Sequence, residues 1–150
     1  MNQQSASKSD RFRVVGGARL SGNVKVFGAK NSALKLMAVS LLAPGKTTIT
    51  NLPHIADVDY MAELLIRLGC KVEIDHQKNL AIIDVPQTPT ARADYDLVRK
   101  LRASINVLGP LLTRVGRAEV ALPGGDAIGS RGLDFHIQGL TDMGAEIHSE

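Results

Sequence analysis

Apolar and polar positions along this chain follow two alternating periods, and each predicts a short element. Residues 12–15 and 22–27 read as short strands around a Gly/Ser turn. Residues 29–42 have the length and apolar richness of a buried helix, which Pro44-Gly45 ends. Residues 47–52 are β-branched and predict a strand. Asp57 is placed to cap a helix whose apolar face is Val58, Met61, Leu64, Leu65 and Leu68, at steps of three and four. Gly69 stops it, and residues 71–75 and 80–85 predict paired strands across a polar turn. Asp96 is placed to cap a helix carrying Leu97, Leu101, Ile105 and Leu108, which Gly109-Pro110 should kink before Leu111-Leu112. A strand at 118–122 follows, then a helix from near Ser130 with Leu133, Ile137, Leu140 and Met143, and a strand at 145–148.

The succession helix, strand, helix, strand therefore occurs twice. Leu41-Leu42 falls on Leu111-Leu112 and Leu52-Pro53 on Leu122-Pro123, each displaced by 70 residues; Leu68-Gly69 falls on Met143-Gly144, displaced by 75. Two copies of one unit are expected to share a core, and the second carries five extra residues within 124–130. Because a repeat shares its framework, an insertion confined to one copy points to function. The second copy stops at Glu150 before its closing strand, so a truncated chain is expected.

That insertion holds Gly124, Gly125, Asp126 and Gly129, followed by Ser130, a good N-cap residue, and Arg131. Glycine lets backbone approach a ligand closely, and the free amides of a helix start favour an anion. Asp126 is then either a turn residue or a chemical group held beside a bound anion. Gly28-Ala29-Lys30-Asn31 likewise sets a cation and an amide at a helix start, although Asn31 can be merely near a cap and Lys30 merely solvated. Arg102, between Leu101 and Ala103, faces either solvent or a ligand. Gly45-Lys46-Thr47 is no phosphate loop: Ser40 stands where the motif needs glycine, and a helix precedes where a strand should. The histidines at 54, 76, 136 and 148 lack metal-ligand spacing.

Composition narrows the partners. With 44% hydrophobic and 22% charged residues the 150-residue chain reads as soluble and globular. The net charge of +3 is scattered and aromatic residues are few, so small anions are expected as ligands and nucleic acid is not. The single Cys70 excludes an internal disulfide, fits a reducing compartment, and reads as structural at the end of an apolar helix pattern. No stretch approaches the ~20 apolar residues of a membrane span. Residues 1–11 are expected to form a flexible tail without the apolar core of a secretory signal, and a cytoplasmic location follows.

Gly28-Ala29-Lys30-Asn31, Asp96-Leu97-Val98-Arg99, Arg102-Ala103-Ser104, Leu108-Gly109-Pro110 and Leu122-Pro123-Gly124-Gly125 stand in the order and spacing of the UDP-N-acetylglucosamine enolpyruvyl transferases. The chain resembles that family from about Phe12 onward. The sister family that makes enolpyruvylshikimate phosphate is a weaker match, since it typically has Ser-Lys-Ser where this chain has Ala29-Lys30-Asn31. The resemblance implies an α/β fold, an inside-out α/β barrel of the enolpyruvyl transferase (EPSP synthase-like) type built from βαβαββ repeats. That barrel is incomplete here, with residues 12–150 a partial domain. It implies transfer of enolpyruvyl from phosphoenolpyruvate to the 3′-hydroxyl of UDP-N-acetylglucosamine, opening peptidoglycan precursor synthesis, with no cofactor, metal or membrane partner. By the same likeness Lys30 and Asn31 contact phosphoenolpyruvate and the sugar nucleotide. Arg102 and the segment Arg131, Gly132, Leu133, Asp134 and Phe135 bind the UDP-sugar, Arg131 also faces the phosphoenolpyruvate anion, and the loop around Asp126 is a mobile lid.

Two departures from the family bear on chemistry. Most members have cysteine where this chain has Asp126, although a subset including actinobacterial members has aspartate. A carboxylate is a poorer nucleophile than a thiolate, so insensitivity to fosfomycin, which alkylates that cysteine, is implied. Asp126 suits a general acid if lid closure and the substrate anions keep it protonated against Arg131. Gly132 replaces the proline usual after Arg131 and should loosen the helix start. The family's general base lies beyond residue 150, so the chain alone is expected not to turn over and at most to bind.

Overall fold

In the computed structural model, which describes residues 12–93, 95–121 and 132–148, the core is built from residue 30 onward. Helix α1 (Lys30–Val39) runs into a 3-10 turn, Ser40–Leu42, and together they bury Ala33, Leu34, Met37, Ala38 and Leu41. That is one helical stripe. Ser40 is buried too, and its hydroxyl donates to the Met37 carbonyl at 2.6 Å, so it is not left unsatisfied. Strand β1 (Gly45–Thr50) leads to α2 (Ala56–Arg67), which buries Val58, Met61, Ala62, Leu64 and Leu65. The chain turns out of α2 at Gly69, whose φ of 98° is the left-handed conformation that favours glycine.

Strands β2 (Lys71–Asp75) and β3 (Leu80–Val85) form the predicted hairpin. The sheet is antiparallel in the order β1-β3-β2, with Ala81 opposite both Ile49 and Ile74. Ala81, Ile83 and Val85 of β3 join the buried side chains of α1 and α2 in one core.

The second half departs from its prediction. Instead of one helix kinked at Gly109-Pro110, α3 (Tyr95–Lys100) breaks at Leu101, which is extended (φ −132°, ψ 109°). A 3-10 segment, Arg102–Val107, then continues into α4 (Leu108–Val115). Pro110 falls in the first turn of α4, where a missing N–H is tolerated. Leu97, Val98, Leu101, Val107 and Leu111 all reach the core. Buried Ser104 spans the break, donating its hydroxyl to the Val98 carbonyl at 3.2 Å.

Four predicted strands and two caps are corrected. Residues 12–15 and 22–27 form no strand, and Phe12, Val14, Val24, Val26 and Phe27 are exposed. The 118–122 strand reduces, over its described residues, to one parallel bridge between Arg92 and Glu119, and residues 145–148 form none. A strand exists only through a ladder partner, and no described segment pairs with these beyond that bridge. Ile55, not Asp57, is the N-cap of α2, and Asp57 lies in its first turn; Asp96 lies inside α3. Helix α5 (Asp134–Asp142) carries the predicted Ile137 and Leu140 but buries none of its residues. Among the described residues no helix is long and apolar enough to cross a membrane.

Candidate anion site at the start of α1

The chain enters α1 through Gly28 and Ala29, the latter extended at φ −76° and ψ 137°. The first amides of an α-helix have no carbonyl partner within it. Ala29 offers no side-chain cap, and the first turn of α1 contains no acidic residue. Lys30 opens the helix, and its ammonium pairs with Asp57 in the first turn of α2 at 2.6 Å. Asn31 lies exposed beside it. An ammonium and free helix-start amides make a place where a small anion is favoured.

Asp57 is the residue that sequence reasoning missed here. It looked like a cap, and no local spacing announces a partner on another helix. Arg102 is half-buried at the head of the 3-10 segment that packs on α1, so Lys30, Asn31 and Arg102 lie on elements in contact. Gly132, Leu133, Asp134 and Phe135 stand apart at the start of α5, with Phe135 88% exposed. There the Asp134 carboxylate folds back over Gly132, where a Cβ would overlap it. Asp126 and Arg131 lie outside the described residues.

Among the described residues, the other candidate groups are inert. Cys70 is buried, and burial followed by the nearby Asp84 charge pushes its thiol up to about 11, so it is a packing residue and not a nucleophile. Among the described residues no group of three or more His, Cys, Asp or Glu could hold a metal ion.

The family described as EPSP synthase (3-phosphoshikimate 1-carboxyvinyltransferase) matches residues 14–150. The chain belongs to this family. Two of the relatives that this chain is similar to are named UDP-N-acetylglucosamine 1-carboxyvinyltransferase. The one from Corynebacterium jeikeium (strain K411) is 57% identical over 136 residues, covering 91% of this chain and 32% of its own length. The one from Mycobacterium tuberculosis (strain CDC 1551 / Oshkosh) is 57% identical over 142 residues, covering 95% and 34%. The chain thus spans about a third of the length of the curated relatives it matches. The crystal structure of the enolpyruvyl transferase NikO from Streptomyces tendae matches with a TM-score of 0.57 at 29% identity, over 67% of this chain and 23% of that one. The fold is accordingly that of the EPSP synthase-like enolpyruvyl transferases, with a partial sheet and an incomplete barrel.

Proposed function

We propose that the protein transfers the enolpyruvyl group of phosphoenolpyruvate to the 3′-hydroxyl of UDP-N-acetylglucosamine, releasing phosphate, as a step of peptidoglycan precursor synthesis in the cytoplasm. The observation that carries this reading is the 57% identity to relatives of that name across nearly all of this chain. The Lys30 site supports it chemically. Phosphoenolpyruvate presents a phosphate and a carboxylate, and Lys30 with the α1 amides suits one, Arg131 the other. The acceptor hydroxyl gives its proton to a base as its oxygen adds to C2 and C3 takes a proton; loss of one proton from the C3 methyl and of phosphate then yields the enolpyruvyl ether. We assign the proton donation to Asp126, and contacts to the UDP-sugar to Asn31, Arg102 and the segment Gly132, Leu133, Asp134 and Phe135. The reaction calls for no cofactor.

The test is acceptor choice. In a polypeptide that continues this sequence to the length of its relatives, phosphate release should require UDP-N-acetylglucosamine, whereas shikimate 3-phosphate should support none. The opposite preference would assign the shikimate-pathway reaction instead. Asp126→Asn should abolish turnover there, and Asp126→Cys should confer a covalent fosfomycin adduct visible by mass spectrometry. The 150-residue chain by itself should release no phosphate.

A further inference from the structure

The connection between β1 and α2 meets the start of α1 twice. Asn51, just after β1, holds a left-handed backbone (φ 56°), and a Cβ at Gly28 would overlap its carbonyl oxygen and lie 3.1 Å from its carbonyl carbon. The same atom would stand 3.4 Å from Pro53 Cδ. Gly28 therefore rests main chain on main chain, a closeness that any side chain would prevent. The support is itself tied down, because Leu52 is buried and its N–H donates to the Asn79 carbonyl at 2.7 Å. Further along the same connection, in the first turn of α2, Asp57 takes the Lys30 ammonium. With side chains 54% and 28% exposed, that pair adds little to stability. It does restrict a lysine whose free side chain would sample many rotamers.

We propose that residues 51–57 form a positioning platform for Lys30: Asn51 sets where the main chain enters α1, and Asp57 sets where the ammonium stands. The platform rests on the reading above only for the identity of the anion that Lys30 meets. Asn51, Gly28 and Asp57 are positioning residues, acting through Lys30 on whatever it binds.

The test uses the 150-residue chain with 15N-labelled lysine, and phosphoenolpyruvate as the probe. Lys30→Met identifies the Lys30 ammonium resonance. Without ligand, that resonance should be resolved in the parent chain and in Asn51→Gly, which keeps the left-handed backbone. It should be lost to solvent exchange in Asp57→Asn and broadened in Gly28→Ala. A Lys30 ammonium already averaged in the parent, or unchanged in Asp57→Asn with the amide spectrum preserved, overturns the platform. Should Gly28→Ala fail to fold, Asp57→Asn decides, since it is isosteric. With phosphoenolpyruvate added, Asp57→Asn should bind about tenfold more weakly than the parent, and equal binding counts against the platform. If the parent binds no phosphoenolpyruvate, the anion assigned to Lys30 in this chain falls, and the ligand-free spectra still decide the platform.

Discussion

Cys70 shows how one buried side chain ties stability to pH. Burial, then the Asp84 charge, raises its thiol from the ordinary 9.0 to about 11 in the folded chain. A raised value means that the folded state holds the proton where the unfolded state has released it. The contribution is therefore fully present below pH 9 and is lost as pH rises from 9.0 toward about 11. Its size is roughly 2 to 3 kcal/mol at most. Urea unfolding midpoints should fall across that window, and Cys70→Ala should remove the part due to the thiol; identical pH profiles for parent and variant would refute the assignment. Met61, fully buried on α2, gives a second residue-scale expectation. Met61→Ala should cost about 3 kcal/mol by urea titration, whereas Ile66→Ala, on the exposed side of the same helix, should cost under about 0.5 kcal/mol. Met61 was legible in the sequence, because it falls on the helical stripe that runs from Val58 to Leu68. The Lys30–Asp57 pair was not. Its partners belong to different helices, and only the packing of α1 on α2 brings them together.

Among the elements, the β2-β3 hairpin was read correctly because its turn chemistry is local. Asp75 Oδ1 accepts the N–H groups of Gln77 and Lys78, each at 3.0 Å, while Oδ2 pairs with the Lys78 ammonium at 3.1 Å. Those bonds, led by the Lys78 amide, hold its carboxyl below the usual 3.8. A lowered value contributes stability above 3.8 that fades as pH falls through the folded value. Hydrogen exchange at the Gln77 and Lys78 amides should accelerate in Asp75→Ala, and the parent should lose its protection relative to that variant on acidification below pH 3.8. Equal protection in both proteins at neutral pH would show that the carboxylate does not hold the turn. The break at Leu101 was illegible for the opposite reason. A buried leucine satisfies a helical stripe and an extended kink alike, so periodicity continued the helix to Gly109-Pro110. Burial of Leu101 and Val107, with Ser104 bonded back to Val98, decides the path.

Across the whole molecule, the internal repeat separates what a sequence can specify from what it cannot. The first copy closes: α1, β1, α2, β2 and β3 all find partners within 30–85, and the helical part of the second copy adds Leu97, Val98, Leu101, Val107 and Leu111 to the core they form. The second copy carries the same pattern, yet among the described residues its strand positions show no ladder beyond one bridge, and α5 buries nothing. Apolar alternation states which side chains would be covered in a sheet, and it is silent on whether a neighbouring strand exists. The same gap leaves Phe12, Val14, Val24, Val26 and Phe27 exposed ahead of α1, although their pattern reads as two strands. Local stability should follow this division, since amides with few buried neighbours open at little cost. Native-state hydrogen exchange of the 150-residue chain should find slow amides in α1, α2 and β3, with those of residues 22–27 and of α5 exchanging faster. Protection at Val24 and Val26 equal to that of Ile83 would mean that residues 22–27 do pair as a strand, and would restore the reading that alternation first supplied.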